Sequence, residues 1–157
     1  MNHRLPVDSH FDAFGSLQVR IHSLIMKKIL IVEDNDEARK MLSVALKRPT
    51  HTIVEATNGL AALRAAKDHK PIVVLLDIVM PGPVNGFQVC EWIKADAELK
   101  STFVVLLSGL NEQKDFDEAK RVGANAYMVK PFRLSRLIEI VIDHVKLADT
   151  FVLEMAA

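Results

Sequence analysis

Between residues 27 and 147 short apolar runs alternate with longer stretches in which apolar residues recur every three or four positions. The runs Ile29-Leu30-Ile31-Val32, Ile72-Val73-Val74-Leu75-Leu76 and Phe103-Val104-Val105-Leu106-Leu107 are apolar at every position. That pattern marks strands buried on both faces of a parallel sheet. The expected strands are 28–33, 51–56, 72–77, 102–107 and 126–130, and the expected helices are 36–48, 59–69, 86–97, 112–122 and 133–147. In the first helix Ala38, Met41, Leu42, Ala45 and Leu46 form one apolar stripe, and Asp36 is placed to cap it. Asn58-Gly59 opens the second helix, and Leu134, Leu137, Ile138, Val141, Ile142 and Val145 line the last. Strict alternation of strand and helix implies an α/β domain with right-handed crossovers and a parallel sheet.

Residues 1–25 break this pattern. Leu17, Val19 and Ile21 alternate as in a strand, while Leu17, Ile21, Leu24 and Ile25 fit a helix equally well. His3, His10 and His22 have no metal-ligand spacing, so they read as part of a solvated tail. The expected division is a poorly structured extension over 1–25, a domain over 26–148 and a tail over 149–157, with Met26 as the expected natural start. The tail Phe151-Val152-Leu153-Glu154-Met155 is apolar enough to extend the last helix or to fray. So few residues follow Phe132 that no fused output domain is expected.

Composition narrows the class. The chain has 157 residues, half of them hydrophobic and 25% charged, with a formal net charge of zero. A neutral chain lacks the basic surface that drives binding to nucleic acid. The one cysteine, Cys90, excludes an intrachain disulfide and falls on the apolar side of a helix, where a thiol is inert. No apolar stretch approaches the ~20 residues that span a bilayer, and no signal peptide opens the chain, so a cytoplasmic protein is expected.

The chemistry gathers at strand ends. Asp77 closes the third strand, Glu33-Asp34 follows the first, and Lys130 follows the fifth. In an open α/β sheet, ligands bind at the carboxyl ends of the strands. The flavodoxin-like, doubly wound (βα)5 arrangement with strand order 2-1-3-4-5 would bring Glu33, Asp34 and Asp77 together. Carboxylates ~4 Å apart repel by about 4 kcal/mol at an effective dielectric of ~20, so such a cluster binds a cation or holds a proton. Oxygen ligands on an open site suit Mg²⁺, or Mn²⁺ in its place. Pro131 fixes the backbone after Lys130, and Ser108-Gly109 offers a hydroxyl and an approachable amide at the end of the fourth strand.

The segments Ile31-Val32-Glu33-Asp34-Asn35, Leu76-Asp77-Ile78-Val79-Met80-Pro81-Gly82, Leu107-Ser108-Gly109 and Gly123 to Phe132 together resemble the receiver domain of two-component response regulators, over about residues 27–148. The resemblance implies a stand-alone phosphoacceptor of a two-component system or phosphorelay, not an enzyme with turnover. It implies that Asp77 takes a phosphoryl group from a sensor histidine kinase or histidine phosphotransfer protein. Asp34, Glu33 (through water), Asp77 and the Val79 carbonyl would hold the metal. Lys130 and the main chain of Ile78 and Gly109 would hold the phosphoryl group. Ser108 and Tyr127 would act as the switch toward a downstream protein, and the peptide before Pro131 would be cis. A homodimer through the last two helices is compatible with the pattern.

Two departures stand out. The family usually has one residue fewer between the acceptor and the glycine that starts the third helix. Here Met80-Pro81-Gly82-Pro83-Val84-Asn85-Gly86 is longer and carries a second proline. Ser108 and Gly109 replace the commoner threonine and alanine. Rival readings fare worse. An aspartyl-phosphate phosphohydrolase of the haloacid dehalogenase type would have an aspartate where Val79 stands. A nucleotide or flavin module would want a glycine-rich phosphate loop after the first strand, where Glu33-Asp34-Asn35-Asp36 repels phosphate. A phosphorylation-independent pseudo-receiver would lack some of the side chains that are all present here.

Overall fold

The computed structural model describes residues 26–156, with side chains through Leu147. Five strands and five helices alternate along it: β1 (Lys27–Val32), α1 (Asp36–Leu46), β2 (His51–Ala56), α2 (Gly59–His69), β3 (Val73–Asp77), α3 (Gly86–Ala95), β4 (Phe103–Ser108), α4 (Gln113–Arg121), β5 (Ala126–Val129) and α5 (Leu134–Ala156). The strands form one parallel sheet in the order β2-β1-β3-β4-β5, as expected. The extension expected over 1–25 lies outside the described residues, as do the side chains of the tail. Among the described residues no helix is long and apolar enough to cross a membrane.

The apolar runs explain the layers. Strand residues point alternately to the two faces of a sheet. Leu30, Val32, Val74, Leu76, Val104 and Leu106 pack under α2, α3 and α4. Ile29, Ile31, Val73, Leu75, Val105 and Leu107 pack under α1 and α5, with Leu137, Val141 and Val145. Each fully buried aliphatic side chain contributes about 1.5–3 kcal/mol, so β3, closed to solvent on both faces, is the anchor of the sheet.

Three details differ from the sequence reading. Asn35, not Asp36, caps α1: its backbone is extended and its side chain accepts from the Ala38 amide at 2.9 Å. Asp36 is already helical and pairs with Arg39 instead. Met41 is 48% exposed, so the buried stripe of α1 is narrowed to Leu42 and Leu46. The backbone of α5 stays helical to Ala156, past the expected end at 147, since no glycine or proline interrupts it.

Register aligns the strand ends. Val32 pairs with Leu76, Asp77 with Leu107, and Ser108 with Val129. Glu33, Asp77, Ser108 and Lys130 therefore share one rim.

Candidate functional site

Asp77 ends the central strand, and the chain turns sharply after it. The Val79 amide donates to Asp77 Oδ1 at 3.2 Å, and the Gly86 amide returns to the Ile78 carbonyl at 2.9 Å. Only glycine fits at position 86: a Cβ there would lie 2.4 Å from the Asp77 carbonyl oxygen. The Ile78 amide donates to the Leu107 carbonyl at 3.2 Å. This corrects the expectation that it faces a phosphoryl group, because the β3–β4 ladder claims it. The main-chain donor that reaches the Asp77 carboxylate is Val79.

Glu33 is held from three directions. The Asn35 amide donates to its Oε1 at 3.0 Å, Lys130 Nζ donates to its Oε2 at 2.9 Å, and Arg39 Nη1 donates to its carbonyl at 3.0 Å. The same Lys130 Nζ reaches Asp77 Oδ2 at 3.1 Å. Glu33 and Asp77 are buried, while Asp34 is exposed. One carboxylate oxygen from each of Glu33, Asp34 and Asp77 lies within 4.8 Å of the others. The lysine, carried by the cis peptide Lys130–Pro131, thus bridges strand ends that are far apart in sequence.

The charges are unequally compensated. Burial pushes the Glu33 carboxyl up, but the Lys130 hydrogen bond and the Asn35 amide outweigh it, leaving it below the ordinary range. Burial also pushes Asp77 up. Lys130 opposes this and the charge on Glu33 adds to it, so Asp77 ends above its ordinary value. Burial works against the Lys130 ammonium, yet Glu33 and Asp77 hold it above the usual lysine value. Three carboxylates around one ammonium leave the cluster with excess negative charge. With oxygen as the only donor type, this composition fits a hard divalent cation.

Ser108 and Tyr127 meet through one residue, Leu110. The Leu110 amide donates to Ser108 Oγ at 3.1 Å, and the Leu110 carbonyl accepts from the Tyr127 hydroxyl at 2.8 Å. Tyr127 also leans on Phe116 of α4, with ring centroids 4.9 Å apart. Ser108 itself is buried, and its carbonyl accepts the Lys130 amide at 2.8 Å. Gly109 is exposed, with nothing within 4 Å of the place a Cβ would take. Val79 is 63% exposed beside Asp77.

The side chains of Glu33, Asp34, Asp77, Ser108 and Lys130 therefore lie on this rim, and Tyr127 reaches it through Leu110. The reading passed over Arg39, whose guanidinium ties the Glu33 carbonyl to Asp36 and to Glu55 on β2. Only the Asp36–Arg39 part of that network, an i,i+3 pair, was visible in the sequence.

Residues 29–142 match the sequence profile of the response regulator receiver domain. The polar-differentiation response regulator DivK of Brucella anthropi is 32% identical over 115 residues, covering 73% of this chain and 93% of that protein. Protein PilH of Pseudomonas aeruginosa is 35% identical over 116 residues, covering 74% of this chain and 95% of that protein. Among solved structures, the chemotaxis protein CheY4 of Vibrio cholerae superposes with a TM-score of 0.68 at 28% identity, over 75% of this chain and 98% of that one. Receiver domains bind Mg²⁺ at an acidic cluster, interact with histidine kinases and downstream targets, and are phosphorylated on an aspartate. The five-stranded sheet, the acidic rim and these likenesses agree: the chain belongs to the response regulator receiver domain family of two-component signalling.

Proposed function

We propose that Asp77 is the phosphoacceptor and that its phosphorylation switches a protein-binding surface. The observation that carries this reading is the shared lysine: Lys130 Nζ sits 2.9 Å from Glu33 and 3.1 Å from Asp77, leaving Asp77 the less compensated carboxylate at the end of the central strand. An Asp77 oxygen attacks phosphorus, the new bond is O–P, and the bond that breaks is P–N of a phosphohistidine on a sensor kinase or phosphotransfer protein. Glu33, Asp34, Asp77 and the Val79 carbonyl would hold Mg²⁺ or Mn²⁺. The bound ion supplies positive charge for the equatorial phosphoryl oxygens. Lys130 adds its own charge there, and the Val79 and Gly109 amides offer donors.

The acyl phosphate then adds negative charge beside Ser108. When the Ser108 hydroxyl turns to donate to it, the Leu110 amide loses its acceptor. The Leu110 carbonyl, which holds the Tyr127 hydroxyl, lies on the next peptide of the same residue and shifts as Leu110 moves. The face of α4 and β5 thus has two arrangements biased by one local charge. The domain, expected over 26–148, works in the cytoplasm and catalyses no turnover beyond gain and loss of its own phosphoryl group.

Incubation with Mg²⁺ and acetyl phosphate tests this reading. Intact mass should rise by one phosphoryl group in the parent and not in Asp77→Asn. Uptake by both proteins would place the acceptor elsewhere.

A further inference from the structure

The lengthened β3–α3 loop is the feature that the proposed chemistry leaves unused. It leaves the rim at Val79, exposes Pro81, Gly82 and Pro83, and comes back to the protein at Val84. Met80 and Val84 pack on the core under α2 and α3, and Gly82 adopts a φ of +100° that glycine alone takes easily. A groove of about 300 Å³ runs between this loop and the Asn58–Leu60 start of α2. At its floor the loop touches α2 main chain to main chain. A Cβ on Gly59 would lie 2.3 Å from the Val84 carbonyl oxygen and 2.9 Å from Val84 Cβ.

Two residues later the chain is clamped again. Gly86 packs on the Asp77 carbonyl, with 2.4 Å to the place its own Cβ would take, and its amide holds the Ile78 carbonyl at 2.9 Å. The loop is therefore fixed at both contacts by backbone, which cannot yield as a flexible side chain would. A push at Val84 passes through Asn85 and Gly86 into the peptide of Asp77.

We propose that Gly59, on α2 and outside the acidic cluster, is a positioning residue for the acceptor turn: by admitting Val84 it sets where the Asp77 and Val79 main-chain groups sit. This rests on the reading of Asp77 and Val79 as parts of the phosphoryl and cation site. Relieving the Gly59→Ala contact needs a shift of about 1 Å in Val84, the scale at which misplacement of reacting groups becomes costly.

The test is Mn²⁺ affinity, read from the paramagnetic resonance of free Mn²⁺, beside the rate of phosphorylation by acetyl phosphate. Gly59→Ala should weaken Mn²⁺ binding about tenfold, as loss of an outer support of metal ligands does. Its limiting phosphorylation rate should fall by a similar factor. Val84→Gly, which deletes the Val84 Cβ contact with α2 and loosens the loop there, should weaken Mn²⁺ binding about threefold, and Gly59→Ala should weaken it further in that background because the Val84 carbonyl contact remains. A purely structural Gly59 would lower the urea midpoint and leave the Mn²⁺ affinity of the folded protein unchanged, which would overturn the proposal. If Gly59→Ala does not fold, Val84→Gly decides alone: unchanged affinity overturns the proposal. Failure of the parent to take up phosphoryl would refute the acceptor reading. Phosphorylation of the parent with no effect of either substitution would refute only the role of Gly59.

Discussion

Replacing Asp77 by asparagine should make the metal-free protein more stable. The oxygens of Asp77 and Glu33 lie within 4.8 Å, both side chains being buried. At that separation and an effective dielectric of ~20 the two charges repel by ~3.5 kcal/mol. Exposed Asp34 adds a smaller repulsion, and removing a carboxylate from water costs several kcal/mol more. Against this stands Lys130 at 3.1 Å, which attracts Asp77 by ~5 kcal/mol on the same scale but is shared with Glu33. The balance opposes the Asp77 charge, in agreement with burial holding its proton above the ordinary range. Asparagine keeps the shape, and its one oxygen can still accept from the Val79 amide, while its NH2 group replaces the oxygen that faced Lys130. The expected gain is about 2 kcal/mol, a typical size for relieving an uncompensated buried charge. Urea unfolding followed by circular dichroism in EDTA measures it. Mg²⁺ should then close the gap, since a ligand at a hundredfold excess over its Kd stabilises the parent by about 2.7 kcal/mol and binds the variant less well. A variant equal to or less stable than the parent in EDTA would refute the charge argument.

Three further outcomes follow from the same structure. Ser108→Ala should leave phosphorylation of Asp77 nearly intact and weaken binding to a downstream partner, because the Leu110 amide then has no hydroxyl to lose; equal partner binding by both phosphorylated proteins would contradict this. Burial pushes the Cys90 thiol up to about 11, and its Sγ lies 3.6 Å from the Val122 carbonyl, so a thiol reagent at neutral pH should label it only after unfolding. His144 is stacked on Phe103 with ring centroids 4.4 Å apart, and burial, aided by Lys94 and Lys27, holds its proton affinity below the usual value. The unfolded chain then binds more protons near pH 6.5, so this contribution is complete above that pH and is lost as pH falls through the folded value. His144→Gln should flatten that part of the stability profile.

The fold was legible because its information is local. Runs such as Val73–Leu76, apolar at every position, have one reasonable use, and β2 and α2 begin and end where the pattern places them. The site was legible because its side chains sit at strand ends, where the order of a parallel sheet brings them together. What the sequence hid is non-local or depends on one dihedral. Asn35 and Asp36 are both good caps, and only the extended backbone of Asn35 decides between them. The Ile78 amide follows from the β3–β4 ladder, which no single strand shows. Arg39 joins Glu33 to Glu55 across two strands, and Gly59 meets Val84 across two elements. Neither contact leaves a periodic trace.

The central claim is that Asp77, and no other carboxylate on the rim, accepts the phosphoryl group. The most direct measurement is to phosphorylate the protein with acetyl phosphate and Mg²⁺, reduce the acyl phosphate with borohydride, and sequence the peptides by mass spectrometry. Homoserine in place of Asp77, with Asp34 and Glu33 unchanged, is the predicted result. Reduction at Asp34 or Glu33, or none at Asp77 in a protein that has gained phosphoryl mass, would contradict it.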